Sequence, residues 1–176
     1  QKTQSLAVPA IDALQGLSMI QLPAEHHPIP ILFETDELAE SLEAEPNDDT
    51  ASAKMVDLPG VFNGRIDRAG DVDLWKFNGK KGEAWQFDLR ASRLGSPLDG
   101  VLTLLDEKGQ KLATADDLSN GQTDAVLTAT LPDCDESDRH RAAEIVLQGL
   151  VGELNAIERV GNLDLISGVD TKHLAD

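Results

Sequence analysis

Carboxylate and amide side chains are concentrated in one short stretch of the chain, residues 43–49. Its sequence is Glu-Ala-Glu-Pro-Asn-Asp-Asp, so five of the seven side chains carry oxygen donors around a proline that stiffens the backbone. Hard cations such as Ca²⁺ take about six to eight oxygen ligands, and a local acidic cluster supplies several of them. Further along the chain, Asp71 and Asp73 open a strand-like run that ends at Phe77. The two acidic groups predict a calcium-stabilised β domain rather than an enzyme.

The composition of the chain limits the partners that it can have. With 176 residues, 40% of them hydrophobic, it is long enough for one domain with a core, plus extensions. Its 32 acidic and 15 basic residues give a net charge of −17, which repels nucleic acid and anionic membranes and attracts divalent cations or basic partners. Aromatic residues make up only 3%, with no tyrosine, so stacking surfaces for sugars or bases are scarce. We therefore expect no nucleic-acid binding.

Membrane insertion and disulfide formation are not expected either. The single cysteine, Cys134, cannot form an intramolecular disulfide. No apolar run reaches the length of about 18 residues that a membrane-spanning helix needs. The chain begins with Gln1 and Lys2 and lacks a signal-like apolar stretch there, which is typical of a mature product or an excised fragment.

The sequence pattern divides the chain into three segments. Residues 1–41 predict an N-terminal extension or linker, or the end of a preceding domain. Residues 42–133 predict a β domain, because short β-prone runs alternate there with turn residues. Residues 134–176 predict a helical tail, in which an apolar stripe favours an amphipathic helix over Asp138–Val160 with Ser137 as its N-cap.

Short strands separated by turn residues characterise the middle segment. Alternation is strictest over Ala84–Ala91, where one face is apolar and the other polar. The runs Asn78–Gly82 and Asp106–Gly109 carry residues typical of hairpin loops. The strands expected are residues 61–66, 73–78, 84–91, 100–105, 110–115 and 125–131, with a possible short strand at 17–22 and an extended run at 26–33. The predicted fold is mainly β, an antiparallel, jelly-roll-like β-sandwich with an extended N-terminal segment and a C-terminal helix.

The middle segment resembles the bacterial pre-peptidase C-terminal domain over about residues 43–133. Four motifs in order carry the resemblance: Glu43–Asp48, Gly64–Asp67 with Gly70–Phe77, Leu98–Asp106 with Lys108 and Gly109, and Leu112–Asp117 with Asp124. The resemblance implies a non-catalytic, calcium-stabilised accessory, spacer or adhesion module. It also implies a larger exported bacterial protein that is secreted, periplasmic or at the cell surface. Its partners would be the other domains of that protein and an extracellular polymer or protein.

The same resemblance implies which residues hold calcium. Family members attached to collagenases take the ion at the opening acidic signature and at the central Asp-x-Asp. The ligands carried over to this sequence are Glu43, Glu45, Asn47, Asp48, Asp71 and Asp73. The collagen-binding surface of those members does not carry over, because it depends on exposed aromatics, especially tyrosine.

The end of the family pattern is where this sequence departs from it. The family adds a closing strand after the position of Pro132, whereas this sequence predicts a helix there. The closing strand would then come from residues 17–22 or 29–33, or an unpaired sheet edge would invite a partner strand.

Other interpretations of the sequence stay open. One is a carbohydrate- or protein-binding module. Another is a hydrolase with an acidic dyad, because Asp71 and Asp73 would share one face of a strand. A second ion site could form around Asp116, Asp117 and Asp124, although these residue types are also typical of a tight surface loop. The apolar stripe of the predicted helix could instead drive self-association.

Overall fold

A computed structural model describes residues 16–20, 30–118, 122–132 and 141–149 of the chain. The chain divides into two units, Gln1–Glu37 and Leu38–Asp176. The strands are β1 (Gly16–Ile20), β2 (Ile31–Thr35), β3 (Glu40–Leu42), β4 (Lys54–Val56), β5 (Val61–Asn63), β6 (Val72–Gly79), β7 (Ala84–Asp88), β8 (Gly100–Leu105), β9 (Lys111–Ala115), β10 (Asp117–Leu118), β11 (Gln122–Thr130) and β12 (Arg141–Gly149). A 3-10 turn covers Ser92–Leu94. Within the described ranges, no helix has the length and apolar character needed to cross a membrane.

The first unit contains one β-hairpin. Strands β1 and β2 pair antiparallel, from Gly16 opposite Thr35 to Ile20 opposite Ile31. Both runs were expected to be extended, and their described residues form β1 and β2. These two strands pair with each other in a two-stranded sheet.

The described residues of the second unit form three sheets. The largest has five strands in the order β4-β6-β12-β8-β9, the next has the order β10-β11-β7, and β3 pairs with β5 alone. The mainly β prediction is confirmed. Most pairs are antiparallel, as expected, but β3 runs parallel to β5 and β4 runs parallel to β6. These two parallel pairs flank the acidic segment, which connects β3 to β4.

One hydrophobic cluster joins the five-stranded and three-stranded sheets. Along β6 and β8, alternate residues point inward because successive side chains of a strand face opposite sides. The buried cluster includes Trp75, Phe77, Leu102, Leu104 and Ile145 from the larger sheet, and Phe87, Ala125 and Leu127 from the smaller one. The rings of Phe77 and Phe87 meet between the sheets with centroids 5.5 Å apart. Burying one such large apolar side chain contributes about 1.5–3 kcal/mol, so this two-layer packing holds the sandwich together.

The helix predicted over Asp138–Val160 is wrong over residues 141–149, which form strand β12. This strand lies between β6 and β8 and pairs antiparallel with both, for example Ile145 with Trp75 and with Leu104. A short apolar run fits a buried strand as well as a helix, and hydrogen bonds to two neighbours decide in favour of the strand. The rest of the predicted helix, and Ser137, lie outside the described residues.

The two predicted hairpins have different outcomes. Asp106–Gly109 connects β8 to β9 as an antiparallel hairpin, and Gly109 adopts a positive φ of 73°. Asn78–Gly82 does not form a hairpin, because β6 and β7 belong to different sheets. Instead, the Gly82 N–H at the end of this loop donates a hydrogen bond to the Leu131 carbonyl at 3.1 Å. The loop therefore carries the chain from one layer of the sandwich to the other.

Candidate metal centre

The acidic segment after β3 is held against β5 and β6 by backbone hydrogen bonds. The Glu43 N–H donates to the Asn63 carbonyl at 2.9 Å, and the Leu74 N–H donates to the Asn47 carbonyl at 3.1 Å. The Lys76 ammonium also donates to the Thr50 carbonyl. These bonds place the side chains of residues 43–47 over the start of β6, where Asp73 lies.

Three carboxylates converge at this point. Glu43, Glu45 and Asp73 each offer an oxygen atom, and these atoms all lie within 4.8 Å of one another. Asp73 is 0% exposed, and its Oδ2 atom accepts no hydrogen bond from the described residues. A buried carboxylate oxygen without a donor is costly, and a bound cation removes that cost.

The Asn47 amide lies among these carboxylates and is itself 2% exposed. In one orientation its Nδ2 lies 3.4 Å from Glu43 Oε2 and 3.4 Å from Asp73 Oδ1. In the other orientation Nδ2 donates to Glu45, at 3.0 Å to Oε2 and 3.3 Å to Oε1. Whichever way the amide is turned, its oxygen faces carboxylate oxygens. Four oxygen-bearing groups therefore surround one point, and the single NH₂ group cannot satisfy all of them.

The crowding of negative charge changes the acidity of the cluster. Burial, followed by the charge of Glu43 and a hydrogen bond that the protonated Asp73 carboxyl donates to Glu43, raises the pKa of Asp73 to about 9. Burial also raises the pKa of Glu43, although hydrogen bonds from Asn47 and from the Arg65 backbone oppose the shift. Like charges held together in a poorly solvated site produce such shifts. The cluster is therefore a place where a proton or a metal ion is favoured.

Gly64 leaves room for the carboxylates to approach the chain after β5. A Cβ atom at this position would lie 2.9 Å from Asp73 Oδ2, 3.1 Å from Glu43 Oε2 and 3.0 Å from a ring carbon of Trp75. Only glycine fits so close an approach of backbone to side chain. Gly64 belongs to one of the motifs of the family resemblance, but its packing role was not predicted.

The other two predicted ligands, Asp48 and Asp71, are held by Arg68. Its Nη2 atom lies 2.5 Å from Asp48 Oδ2. Its Nη1 atom lies 2.9 Å from Asp71 Oδ1, an ion pair whose alignment falls short of a hydrogen bond. The six predicted ligands thus form two groups: Glu43, Glu45, Asn47 and Asp73 around one point, and Asp48 and Asp71 around a guanidinium. Arg68 was missed in the sequence, where its i,i+3 spacing to Asp71 was the available signal.

The possible second ion site around Asp116, Asp117 and Asp124 is divided in the structure. Asp124 lies elsewhere: its Oδ1 accepts from the N–H groups of Ala91 and Ser92, at 2.9 and 2.6 Å. Asp116 and Asp117 lie near Asp99 instead, with one oxygen atom of each within 4.8 Å of the others. Asp116 and Asp117 are exposed, as residues of a surface loop are.

Asp124 stabilises the fold and is well supplied with donors. Besides its two backbone donors, it accepts from the Arg93 N–H at 2.9 Å and from Arg93 Nε at 2.8 Å. Burial alone would raise the pKa of this carboxyl, but these hydrogen bonds outweigh burial, so the pKa lies below its ordinary value. Asp73 and Asp124 are both fully buried, yet their surroundings shift the pKa in opposite directions.

Comparison with known proteins supplies one structural likeness. No family model matches the chain. A search of curated proteins also gives no match. Among solved structures, the chain is similar to the pre-peptidase C-terminal domain of a collagenase from Bacillus anthracis, at 12% sequence identity and a TM-score of 0.46. The match covers 72% of this chain and 100% of that domain. This is a resemblance of structure alone, to the family that the motifs resemble.

Proposed function

We propose that the second unit is a non-catalytic accessory module of a larger exported protein, and that a calcium ion stabilises it. The ligands would be Glu43, Glu45, Asn47 and Asp73. Because the first three lie in the segment after β3 and Asp73 lies in β6, the ion would cross-link the entry of the module to the larger sheet. The other domains of the parent protein would then be its natural partners.

The observation that carries this proposal is the arrangement of oxygen atoms around the Asn47 amide. Three carboxylates and an amide converge, one of the carboxylates is fully buried, and Asp73 Oδ2 has no donor in the described part of the chain. Without a cation or a proton among them, these carboxylates repel one another. A divalent ion converts this repulsion into binding.

The donor set favours calcium among the common metals. All four side chains offer oxygen, which suits hard cations, and the group contains no cysteine or histidine of the kind that zinc prefers. Calcium also accepts irregular geometry and variable ligand numbers, whereas magnesium demands a near-octahedral site. Calcium sites of extracellular modules bind at about 10⁻⁴–10⁻³ M, a range that suits an exported protein.

The geometry supports ion binding better than catalysis by an acidic dyad. Asp71 and Asp73 are both 0% exposed, so a substrate could not reach either carboxyl group. Asp73 lies among Glu43, Glu45 and Asn47, whereas Asp71 pairs with Arg68. A dyad needs two carboxyl groups that face one substrate, which these two do not.

The burial of the aromatic residues argues against the alternative of a sugar-binding module. All six phenylalanine and tryptophan side chains lie in the described part of the chain, and each is buried or half-buried. Trp75, Phe77 and Phe87 are fully enclosed in the core of the sandwich. A stacking platform for sugars needs an exposed aromatic face, so these side chains support packing instead.

Calcium titration by calorimetry, on the wild type and on Glu45→Gln, tests the proposal. We expect the wild type to bind calcium and Glu45→Gln to bind it at least about tenfold more weakly, because one charged ligand is lost. At calcium tenfold above the Kd, mass action stabilises the fold by about 1.4 kcal/mol, so Tm should fall by several degrees when EDTA is added.

The matched control is Glu107→Gln, in the hairpin between β8 and β9, which removes the same charge from another part of the sandwich. It should bind calcium like the wild type. An identical Tm in EDTA and in millimolar calcium, together with no calorimetric signal for the wild type, would remove the calcium proposal.

A further inference from the structure

Strand β1 has an exposed apolar face and contains no charged residue. Its five residues, Gly16–Ile20, have the sequence Gly-Leu-Ser-Met-Ile. Leu17 and Met19 are 62% and 64% exposed. Because they are two residues apart in a strand, they lie on the same face, where they oppose Glu34 and Leu32 of β2. The hairpin therefore presents two adjacent large apolar side chains to solvent.

The pairing of the described strands leaves one edge of β1 open. Strand β1 pairs with β2 in a two-stranded sheet, so the backbone groups on its other side have no strand partner within the described ranges. An isolated two-stranded hairpin is only marginally stable in water, whereas three or more strands with an apolar face form a stable sheet. A further strand on β1 would therefore satisfy the open edge and also stabilise the hairpin.

Most of the other sheet edges carry charge, which discourages pairing between molecules. Among the described edge strands, an acidic or basic residue is present in each of β2, β3, β4, β7, β9 and β10. Strands β1 and β5 contain none, and Val61 and Phe62 of β5 are buried. Strand β1 is thus the uncharged, solvent-exposed sheet edge in the part of the chain that the structure describes.

The sequence of β1 is complementary to itself. In an antiparallel pair of two β1 strands centred on Ser18, Leu17 of each copy lies opposite Met19 of the other. All four apolar side chains then share one face, where cross-strand pairs of large side chains stabilise a sheet. The same contacts occur twice about a twofold axis, as in the interface of a closed dimer.

Pairing through β2 would be less favourable, because it would place Glu34 of each copy at the new junction. With the two β1 strands at the centre, the two β2 strands lie outside them. Their Glu34 side chains are then separated by about 14 Å, which is three strand spacings.

We propose that the chain forms a homodimer through β1, in which two hairpins join into one four-stranded antiparallel sheet with the order β2-β1-β1-β2. The net charge of −17 opposes contact between two copies, so they need a surface without charge, which β1 provides. The inference concerns the first unit and goes beyond the proposed function. It does not depend on calcium.

Sedimentation equilibrium of the whole chain, from about 1 µM to about 1 mM, tests the inference. We expect the mass to rise with concentration from 18.9 kDa toward twice that value. Association should strengthen as salt is added, because salt screens the repulsion between the acidic copies and leaves the apolar contacts intact.

Met19→Lys should weaken the association at least about tenfold, because it places a charge on the edge strand and removes one apolar contact from each half of the interface. Met55→Lys is the matched control. Met55 is 50% exposed and lies in the edge strand β4 of the second unit. This variant should associate like the wild type.

Cross-linking tests the register of the two strands. Ser18→Cys, in a chain whose Cys134 is replaced by Ser, places two thiols directly opposite each other, at a Cα separation of about 4.5–5.5 Å that a disulfide can span. Oxidised glutathione should convert this variant to a covalent dimer. Leu17→Cys in the same background is the control, because its counterpart lies on the diagonal, about 7–8 Å away.

The outcomes separate the inference from the proposed function, because none of them requires calcium. A wild type that stays monomeric at the highest concentration would overturn the inference and leave the open edge to a strand of another domain. Association that is unchanged in Met19→Lys would overturn it as well, since the interface would then lie elsewhere. Equal cross-linking of Ser18→Cys and Leu17→Cys would contradict the proposed pairing.

Discussion

One oxygen atom of Glu43 and one of Asp73 lie within 4.8 Å of each other, although Glu43 follows β3 and Asp73 lies in β6. Two carboxyl groups share a hydrogen bond only if one of them carries a proton. Burial, the charge of Glu43 and a hydrogen bond between the two groups raise the pKa of Asp73 to about 9, so the pair keeps a proton near neutral pH. A calcium ion that binds here must displace that proton.

The first prediction is that calcium affinity rises with pH. Because binding releases one proton from a group with a pKa of about 9, the association constant should rise about tenfold per pH unit between pH 6 and 8. Calorimetry at three pH values, in buffers of different ionisation enthalpy, measures both the affinity and the proton released.

Without calcium, stability should change with pH in the opposite direction. The folded chain holds a proton on Asp73 that the unfolded chain loses near the ordinary pKa of 3.8, so the free energy of unfolding falls as pH rises from 3.8 to about 9. Thermal melts in EDTA and in calcium should therefore diverge as pH rises. A calcium affinity that is the same at pH 6 and pH 8 would contradict this account of the pair.

The second prediction concerns Asp73→Asn. The amide can donate to Glu43 where the protonated carboxyl did, and it stays neutral at high pH, where Asp73 would lose its proton. We expect Tm in EDTA at pH 8 to equal or exceed that of the wild type, while the rise of Tm on adding calcium is lost. A full calcium-induced rise in this variant would show that Asp73 is not a ligand.

The third prediction concerns Asp124→Asn, which alters a carboxylate that is equally buried. Asp124 accepts hydrogen bonds from three backbone N–H groups and from Arg93, so the substitution leaves the Arg93 charge and some donors unmatched. We expect the free energy of unfolding to fall by about 3 kcal/mol, with the calcium-induced shift in Tm unchanged.

The pH dependence of the Asp124 contribution has a defined sign. Because the folded-state pKa of Asp124 is lowered, its contribution is present above pH 3.8 and is lost as pH falls through the folded-state value. The difference in the free energy of unfolding between the wild type and Asp124→Asn, from urea melts, should therefore shrink in acid. A difference that persists unchanged at the lowest pH where both fold would contradict the charge-based explanation.

Local pattern was sufficient to predict most strands but not their partners. Gly100–Leu105 was predicted with the bounds that the structure shows, and Ala84–Asp88 lies within the run of strictest alternation. The hairpin expected at Asn78–Gly82 is wrong because turn residues do not reveal whether the next strand stays in the same sheet. Strand β12 was missed because its apolar run fits the periodicity of a helix as well as that of a strand. Its two neighbouring strands are also distant in sequence.

The sequence was sufficient to predict the residue types of the candidate site, but not which of those residues lie together. Counting oxygen donors found the two acidic clusters, and the family resemblance named Glu43, Glu45, Asn47 and Asp73 among the ligands, which the fold brings together. The same count could not separate Asp48 and Asp71, because their assignment depends on where the Arg68 side chain reaches. Ion pairing between distant residues is set by tertiary structure, which a local motif does not contain.

The fourth prediction concerns a chain truncated after Asp133, which lacks β12. If the C-terminal tail served mainly for self-association, this truncation would yield a monomer. The structure leads to the opposite expectation, because β12 pairs with β6 on one side and with β8 on the other. Its removal exposes two sheet edges and uncovers the pocket that the fully buried Ile145 fills.

Light scattering of the truncated chain at micromolar concentration should therefore show association or aggregation, and its thermal transition should lose cooperativity. Ile145→Ala in the full chain is a less disruptive variant. We expect it to lower the free energy of unfolding by about 2–4 kcal/mol while the chain keeps its oligomeric state. A monodisperse, cooperatively melting truncated chain would show that β12 is dispensable. The sandwich would then be complete without the strand that lies between β6 and β8.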